Sequence, residues 1–311
     1  MKISIVVPYY QAPASIHQLI DALNKQGIPQ DLRNEFEVII VNDECGKILP
    51  IVIPQTTFPL RVVVSQHKGV AGARNIGIKN ARGELIFFLD QDCIPTPSWL
   101  ASLYSSFVRN EDVSGIGGRI VPKKGGGVVN DYFNITNRLG HPIIDSQTGA
   151  IVTLITGNAG FRINALMKIG YFDEKDFDVN SHGGEDVDIT YRLKRAGMRI
   201  YYEPNAIVSH MYPNHIKDIF YKYANYGMGM RIFCEKHQID PQSIRQPGFS
   251  LSSKIIYFLT FYLQTKKYLQ TFRGITLWRR LLFVLLDFLR YFGHGYGYYK
   301  KNNRKRVITT G

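Results

Sequence analysis

The stretch that most constrains this chain is a short apolar run ending in two acids, ELIFFLDQDC at 84–93. Five apolar residues are too few for an ordinary helix, and the Ile and Phe content favours a buried strand. Residues two apart in a strand share a face, so Asp90 and Asp92 would lie together at its carboxyl end. Two carboxylates there suit a divalent cation, Mn²⁺ or Mg²⁺, that also binds a phosphate. Taken alone, the tripeptide is equally consistent with a turn that caps the next segment.

The segments around this run alternate between strand and helix patterns. Strands are predicted at 3–7, 36–41 and 60–64, and helices at 13–25 and 69–81. This alternation predicts an α/β fold with a mostly parallel central sheet flanked by helices. Further on, the pattern predicts helices at 98–108, 164–169, 184–196 and 216–237, strands at 115–121, 151–155, 199–202 and 206–209, and a polar irregular segment at 130–150.

The positive charge is concentrated near the carboxyl terminus. Residues 251–311 hold twelve Lys or Arg and one acid, out of a net charge of +13. We therefore expect a catalytic domain over 1–250 and a basic helical region over 251–311. The apolar runs at 255–263 and 281–289 are each too short to span a bilayer.

The charges in the longer stretch 275–292, which includes the second apolar run, predict a membrane-associating helix. Arg279, Arg280, Asp287 and Arg290 fall within a sector of about 100° on a helix, leaving a wide apolar face. Such a helix suits the membrane interface, and the basic cluster at 300–306 would attract anionic lipids. The alternative is that the carboxyl-terminal helices pack on the catalytic domain or across a homodimer.

Composition also bears on compartment and partners. Three widely spaced cysteines form neither a disulfide framework nor a zinc pattern, which favours a reducing compartment. The first apolar run is about five residues long before Pro8, unlike a signal peptide. We expect a cytoplasmic protein, peripheral on the membrane. Although the pI is about 9.5, the basic residues adjoin aliphatic runs without a binding motif, so no nucleic-acid partner is expected.

Polar residues follow other predicted strands at the same sheet edge. Asp43 follows the second strand and could accept hydrogen bonds from a base or ribose hydroxyl, or form an Asx turn. Pro8 and Tyr9 end the first strand, and Tyr9 could pack on a base. Arg74, on the helix before the acidic strand, suits a phosphate or base carbonyl; the alternative is a surface arginine.

Two later positions complete the candidate set. Glu185 and Asp186 open a helix after two glycines, where a carboxylate could accept a proton from a hydroxyl or simply complement the helix dipole. His210 ends a strand and could join Asp92 on a metal, or be a half-buried structural histidine. The chain contains neither a dinucleotide fingerprint nor a P-loop, so phosphate binding would need a metal and basic residues.

The order of these segments resembles the family-2 glycosyltransferases with the GT-A fold, over roughly residues 1–235. The segments that carry the resemblance are IVVPYYQ, EVIIVNDECG, GVAGARNIGIKNARGELIFFLDQDC, TGNAGFRINALMKIGYFDE and GGEDVDITYRLKRAG. The resemblance implies an inverting transferase that takes a sugar from a nucleotide-diphosphate donor, UDP-sugars being favoured, and gives it to a saccharide or lipid-linked acceptor.

The same resemblance implies roles for individual residues. It makes Asp43 the base reader, Arg74 a donor-site residue, Asp90 the ribose-side acid and Asp92 the metal ligand, with His210 a second ligand as in some members. Gly157 and Asn158 would belong to an acceptor-side loop. Asp186 would be the general base, ahead of Glu185.

Some features depart from the family pattern. Glu44 and Cys45 stand where glycine and serine are usual, and the absence of Q-x-x-R-W argues against a processive synthase. A sugar nucleotidyltransferase of related fold and a non-catalytic binding protein are the competing interpretations. The first normally carries a Gly-rich basic loop after strand one, and the second is disfavoured by the two acids Asp92 and Asp186.

Overall fold

The computed structural model describes residues 1–44, 54–123, 127–136, 143–144, 151–178, 183–212, 215–240 and 275–300. The chain divides into two compact units, Met1–Asn214 and His215–Gly311. The boundary expected after residue 250 lies outside the described residues and stays a prediction, and the helix expected at 216–237 belongs to the second unit. All the predicted site residues lie in the first unit.

The first unit is built from strands and helices that alternate over its first hundred residues. Its strands are β1 (Ile3–Tyr9), β2 (Phe36–Asn42), β3 (Leu60–Val64), β4 (Leu85–Leu89), β5 (Cys93–Pro95), β6 (Val113–Pro122), β7 (Ile143–Ile144), β8 (Ile151–Thr153), β9 (Asn158–Arg162) and β10 (Arg199–His210). Its helices are α1 (Pro13–Asn24), α2 (Gly69–Asn80), α3 (Trp99–Arg109), α4 (Val128–Thr136), α5 (Ile163–Lys168) and α6 (Glu185–Arg195). A 3₁₀ turn covers Gln30–Leu32.

The main sheet has the strand order β3-β2-β1-β4-β9-β6-β10-β5. Strands β3, β2, β1 and β4 are mutually parallel, and apolar residues of β1, β2 and β4 belong to the buried core. The α/β prediction is confirmed. Because β1, β2 and β4 are parallel, Tyr9, Asn42 and Leu89 end at the same sheet edge, where ligands bind in folds of this class.

Strand β9 makes the sheet more mixed than predicted. It lies antiparallel between β4 and β6, and β5 is antiparallel to β10. The sequence of β9, NAGFR, lacks the apolar alternation of an ordinary strand. Gly160 explains this: a Cβ there would lie 2.6 Å from the Phe87 ring, so the close approach of β9 to β4 requires glycine.

Two further differences from the predictions have local causes. Helix α4 occupies part of the segment expected to be irregular, and Val129, Tyr132 and Phe133 give it a buried face at helical spacing. The two strands expected at 199–202 and 206–209 are one strand, β10, with a register shift between Glu203 and Ile207.

The described part of the second unit is a pair of helices, α7 (Ile216–His237) and α8 (Leu277–Tyr299). Their backbones are in direct contact at glycines. A Cβ on Gly227 would lie 1.9 Å from the His294 carbonyl oxygen, and one on Gly297 would lie 1.8 Å from that of Ala224. Small residues at these positions therefore fix how closely and in which register the two helices pack.

Helix α8 turns its charges inward and its apolar side chains outward. Asp287 is 3% exposed and pairs with Arg290 at 3.3 Å. These two charges were expected on an exposed polar stripe, and they are instead turned away from solvent. The exposed large apolar residues follow at spacings of three or four along one face: Leu281, Leu285, Phe288, Phe292, Tyr296 and Tyr299. The apolar run expected at 255–263 lies outside the described residues. Within the described ones, no helix combines the length and apolarity needed to cross a bilayer.

The glycine contacts predict different effects on stability for substitutions at Gly297 and Gly295, which lie two residues apart in α8. Gly297→Ala should destabilise the second unit by about 1–3 kcal/mol, because its methyl group would clash with backbone that cannot rotate away. The control is Gly295→Ala, whose Cβ would meet nothing within 4 Å and should stabilise the helix by up to about 1 kcal/mol. Chemical denaturation followed by circular dichroism measures both; equal stability of the two variants would contradict the packing.

Candidate functional site

The loop after β4 is fixed to the end of β1 by a side chain between the two acids. The backbone N–H of Tyr10 donates to Gln91 Oε1 at 2.8 Å, and Gln91 Nε2 donates to the Tyr10 carbonyl at 3.0 Å. This reciprocal pair holds the loop in one conformation. It thereby sets the positions of Asp90 and Asp92 on either side of Gln91.

Four potential metal ligands lie together at this loop. The ligand atoms of Asp90, Asp92, Cys93 and His210 are all within 4.8 Å of one another. His210 Nε2 is 3.4 Å from Asp92 Oδ1, while its Nδ1 is 2.6 Å from the Met211 carbonyl. Since a carbonyl only accepts, Nδ1 is the donor to Met211, which leaves Nε2 as the ring atom directed to Asp92. The structure brings Asp92 and His210 together, and the donor set fits a divalent cation.

Arg74 is a buried cation that joins the acids of two different elements. It is 2% exposed and donates to Asp90 and to Glu185 at 2.9 Å each, with Asp186 at 3.8 Å. Burial alone would lower the pKa of Arg74, but the carboxylates, led by Asp90, raise it above its ordinary value. Its guanidinium is thus engaged by acids of the protein, and its expected donor-site role stays a prediction.

Asp186 lies at the start of α6, where its carboxyl group is partly shielded from water. Gly183 and Gly184, at φ of +126° and +99°, bring the chain into the helix through conformations that favour glycine. The backbone N–H of Thr156 donates to Asp186 Oδ1 at 3.3 Å, and the Thr156 hydroxyl donates to the same oxygen.

The surroundings of Asp186 suit it to accept a proton. Burial, followed by the charge of Glu185, raises the pKa of Asp186 to about 7, although Arg74 and Thr156 oppose the shift. A carboxyl group with a pKa near neutrality can both take up and release a proton under ordinary conditions. Glu185 is buried with Oε1 bound to Arg74, which makes it the poorer candidate for proton acceptance.

Asp43 holds the start of α2 against the end of β2. Its two carboxylate oxygens accept the backbone N–H groups of Lys68 and Gly69, each at 2.9 Å. These bonds satisfy donors that a helix start leaves without a partner. A carboxylate has acceptor capacity beyond two bonds, so contact between Asp43 and a base stays a prediction.

The aromatic group at this edge is Tyr10 rather than Tyr9. The Tyr9 side chain is 1% exposed and belongs to the apolar core, so it cannot pack on a bound base in this structure. Tyr10 is 43% exposed and stacks on His67 with ring centroids 5.2 Å apart. Alternation along β1 is the signal that could have shown this, because Tyr9 lies two residues after Val7, on the face that belongs to the core.

The predicted acceptor-side pair has a structural role in the core. The Asn158 side chain is buried, accepts from Trp99 Nε1 at 2.8 Å, and donates to the carbonyls of Arg119 and Ala206. The side chain is thus engaged within the protein, and the acceptor-side role of this loop stays a prediction. Gly157 lies against Asp90, since a Cβ there would be 2.7 Å from Asp90 Oδ2.

Comparison with known families gives a direct match. The model of the family described as "Glycosyl transferase family 2" matches residues 4–170, which is more than half of the chain. This range contains β1, β2, β4 and the loop with the metal-ligand cluster. It ends before α6 and His210.

Comparison with curated proteins finds relatives over much of the chain. A pre-mycofactocin glycosyltransferase of Mycobacterium tuberculosis is 29% identical over 245 residues, covering 76% of this chain and 48% of that protein. Hyaluronan synthase of Pasteurella multocida is 29% identical over 63% of this chain and 23% of its own length. The chain thus spans about half or less of the length of these relatives.

Comparison with solved structures shows the same fold. The mannosyltransferase PcManGT from Pyrobaculum calidifontis, in complex with GDP-Man and Mn²⁺, has a TM-score of 0.61 at 15% identity, covering 97% of this chain and 88% of that one. Residues 1–349 of S. aureus TarS, in complex with UDP-GlcNAc, have a TM-score of 0.52 at 18% identity, covering 96% and 90%. At these identities the likeness establishes the fold alone.

The contacts of Asn158 predict a loss of stability on substitution. Asn158→Leu should lower the free energy of unfolding by about 3 kcal/mol, because it leaves the buried Trp99 N–H and two carbonyls without their partner. Urea unfolding measures this. Asn164→Leu, at an exposed position, is the control and should stay within about 0.5 kcal/mol of the wild type. Unchanged stability of Asn158→Leu would contradict the structural role of this side chain.

Proposed function

The chain belongs to glycosyltransferase family 2, and on that premise we propose that it is an inverting transferase. It would move a sugar from a nucleoside-diphosphate donor to an acceptor hydroxyl. The observation that carries the proposal is the arrangement around Arg74, which links Asp90 of the metal-ligand cluster to Glu185 and Asp186 at the start of α6. A charged donor group and a proton acceptor can thus be held on opposite sides of one guanidinium.

The donor diphosphate is proposed to bind at Asp92 and His210 through a divalent cation, Mn²⁺ or Mg²⁺. The orientation of the His210 ring supports this, because Nε2 is turned to the carboxylate. A bound cation would neutralise the negative charge that develops on the leaving diphosphate. Asp90, fixed by Arg74, keeps one carboxylate oxygen for the protein and leaves the other at the cluster.

The base and ribose are proposed to bind between Asp43 and Tyr10. The exposed Tyr10–His67 pair offers a flat surface, and an Asp43 oxygen can accept the imide N–H of uracil. For this reason we favour a UDP-sugar. The solved neighbours hold donors with different bases, UDP-GlcNAc in TarS and GDP-Man in PcManGT, so the fold does not decide the base.

Asp186 is proposed to remove the proton of the acceptor hydroxyl as the oxygen attacks the anomeric carbon. Attack from the face opposite the leaving diphosphate inverts the configuration. The hydrogen bonds from Thr156 hold the carboxylate in place, and its pKa of about 7 makes it a stronger base than an ordinary aspartate.

The acceptor is proposed to be a saccharide or a lipid-linked saccharide met at a membrane surface. The support is the exposed apolar face of α8, defined by Leu281, Leu285, Phe288, Phe292 and Tyr296. A face this apolar is costly in water. The sequence continues from it into the basic cluster at 300–306, and this pairing of apolar and basic residues suits a bilayer with anionic lipids.

The role of Asp186 predicts a specific kinetic defect. Asp186→Asn should reduce sugar transfer by about 10²–10⁴-fold and leave donor affinity nearly unchanged, as measured by product formation and calorimetric titration of the donor. Wild-type transfer should rise as pH passes about 7, where the carboxylate ionises. Near-full turnover of the variant would remove Asp186 from this role.

A second variant distinguishes the loss of donor binding from the loss of proton removal by Asp186. Asp92→Ala should weaken donor binding in Mn²⁺, and a thermal-shift screen of nucleotide sugars with and without Mn²⁺ would show the loss as a smaller stabilisation. The matched comparison is Asp186→Asn, which should keep the full shift. If Asp92→Ala retains the Mn²⁺-dependent shift, the proposed metal position is wrong.

The membrane proposal predicts a loss of vesicle binding on changing the α8 face. The double variant Leu285→Glu, Phe292→Glu should bind at least about tenfold less to vesicles with anionic lipid, since each apolar side chain contributes roughly 1.5–3 kcal/mol when buried. Flotation measures this. Val64→Glu, Met167→Glu, two exposed apolar positions in the first unit, is the control and should float like the wild type. Equal flotation of the α8 variant would contradict the proposal.

A further inference from the structure

The side chain of Cys93 lies in the metal-ligand cluster although the proposed transfer gives it no role. Its Sγ is within 4.8 Å of the ligand atoms of Asp90, Asp92 and His210. Cys93 and His210 are direct partners in the antiparallel β5–β10 pair. Partners in such a pair project to the same face of the sheet, so the register of the strands itself brings thiol and imidazole together.

The thiol is also held firmly in place. Cys93 is buried, and its backbone N–H donates to the Asp90 carbonyl at 3.0 Å, closing the turn between the acids and β5. On the other side, a Cβ on Gly157 would be 3.7 Å from Sγ and 2.7 Å from Asp90 Oδ2. The loop at Gly157 therefore covers the cluster closely.

The resulting donor set is chemically mixed. Mg²⁺ and Mn²⁺ prefer oxygen ligands, whereas a thiolate combined with imidazole and carboxylate is typical of tetrahedral Zn²⁺ sites. The ligand atoms of such a site lie roughly 3.5 Å apart, given ligand distances of about 2.0–2.3 Å. The four atoms here lie within 4.8 Å of one another, and the His210 Nε2 to Asp92 Oδ1 distance is already 3.4 Å, so a bound ion would draw the others closer by side-chain rotation.

We propose that Cys93, Asp92 and His210 bind a thiophilic divalent cation, Zn²⁺ or Cd²⁺, with Asp90 or water as a fourth ligand. The bond forms between the ion and the sulfur, the thiol proton passes to solvent, and nothing is oxidised or reduced. Mn²⁺ at Asp92 and His210 and Zn²⁺ at Cys93, Asp92 and His210 exclude each other. One consequence of this assignment rests on the proposed function: bound Zn²⁺ would block the binding of a nucleotide-sugar donor through Mn²⁺.

Cadmium titration of the metal-free full-length protein tests this assignment without donor or activity. Cd²⁺ bound to a thiolate absorbs in the ultraviolet by charge transfer. We expect this absorption to grow to one equivalent of Cd²⁺ and to be reversed by Zn²⁺. It should be lost in Cys93→Ser and kept in Cys234→Ser, the control at a buried cysteine of α7.

A complementary variant avoids changing the buried Cys93. The sequence has three cysteines, so Cys45→Ser, Cys234→Ser leaves Cys93 alone, and this variant should keep the full absorption. His210→Gln should lower Cd²⁺ affinity at least about tenfold. Absence of the absorption in the wild type, its loss in the double variant, or its persistence in folded Cys93→Ser would overturn the proposal. Each of these results leaves the proposed transfer reaction untouched.

Discussion

The site depends on the burial of one cation, Arg74, among acids that would otherwise repel one another. Asp90 follows β4, whereas Glu185 and Asp186 begin α6, nearly a hundred residues later in the chain. A buried charge is tolerated only when it is paired. The guanidinium and the carboxylates therefore stabilise each other in the interior, and the ion-pair network joins the two segments that carry the proposed chemistry. Phe172, 5.5 Å from the guanidinium, covers it.

The parts of the fold that could be predicted from sequence are those with a local signal. Strand β4 is a continuous apolar run, β1 and β2 are predominantly apolar, and α1, α2 and α7 show helical spacing within a few residues of their observed bounds. Strand β9 and the course of β10 could not be predicted in the same way. Gly160 is needed only because Phe87 lies on a neighbouring strand, and the register shift in β10 depends on its pairing with β6.

The same distinction applies to the site. Residue type and position at a strand end indicated the acids, and the structure does bring Asp92 and His210 together. What each side chain contacts was less predictable. Asn158 is enclosed by Trp99 and two distant carbonyls, and Tyr9 faces the core while Tyr10 faces outward. The contacts of Asn158 follow from long-range packing, which no single segment of sequence encodes, whereas the orientation of Tyr9 could have been inferred from the alternation along β1.

The reciprocal hydrogen bonds between Gln91 and Tyr10 have a consequence for the size of ligand that the sheet edge can accommodate. The Gln91 amide donates and accepts at once, and here it ties the main chain of Tyr10, whose ring is exposed, to the acids on either side of Gln91. The distance from the Tyr10 main chain to the acids is therefore set by these two bonds. We expect this edge to favour ligands in which the distance between the planar end and the anionic end matches this spacing.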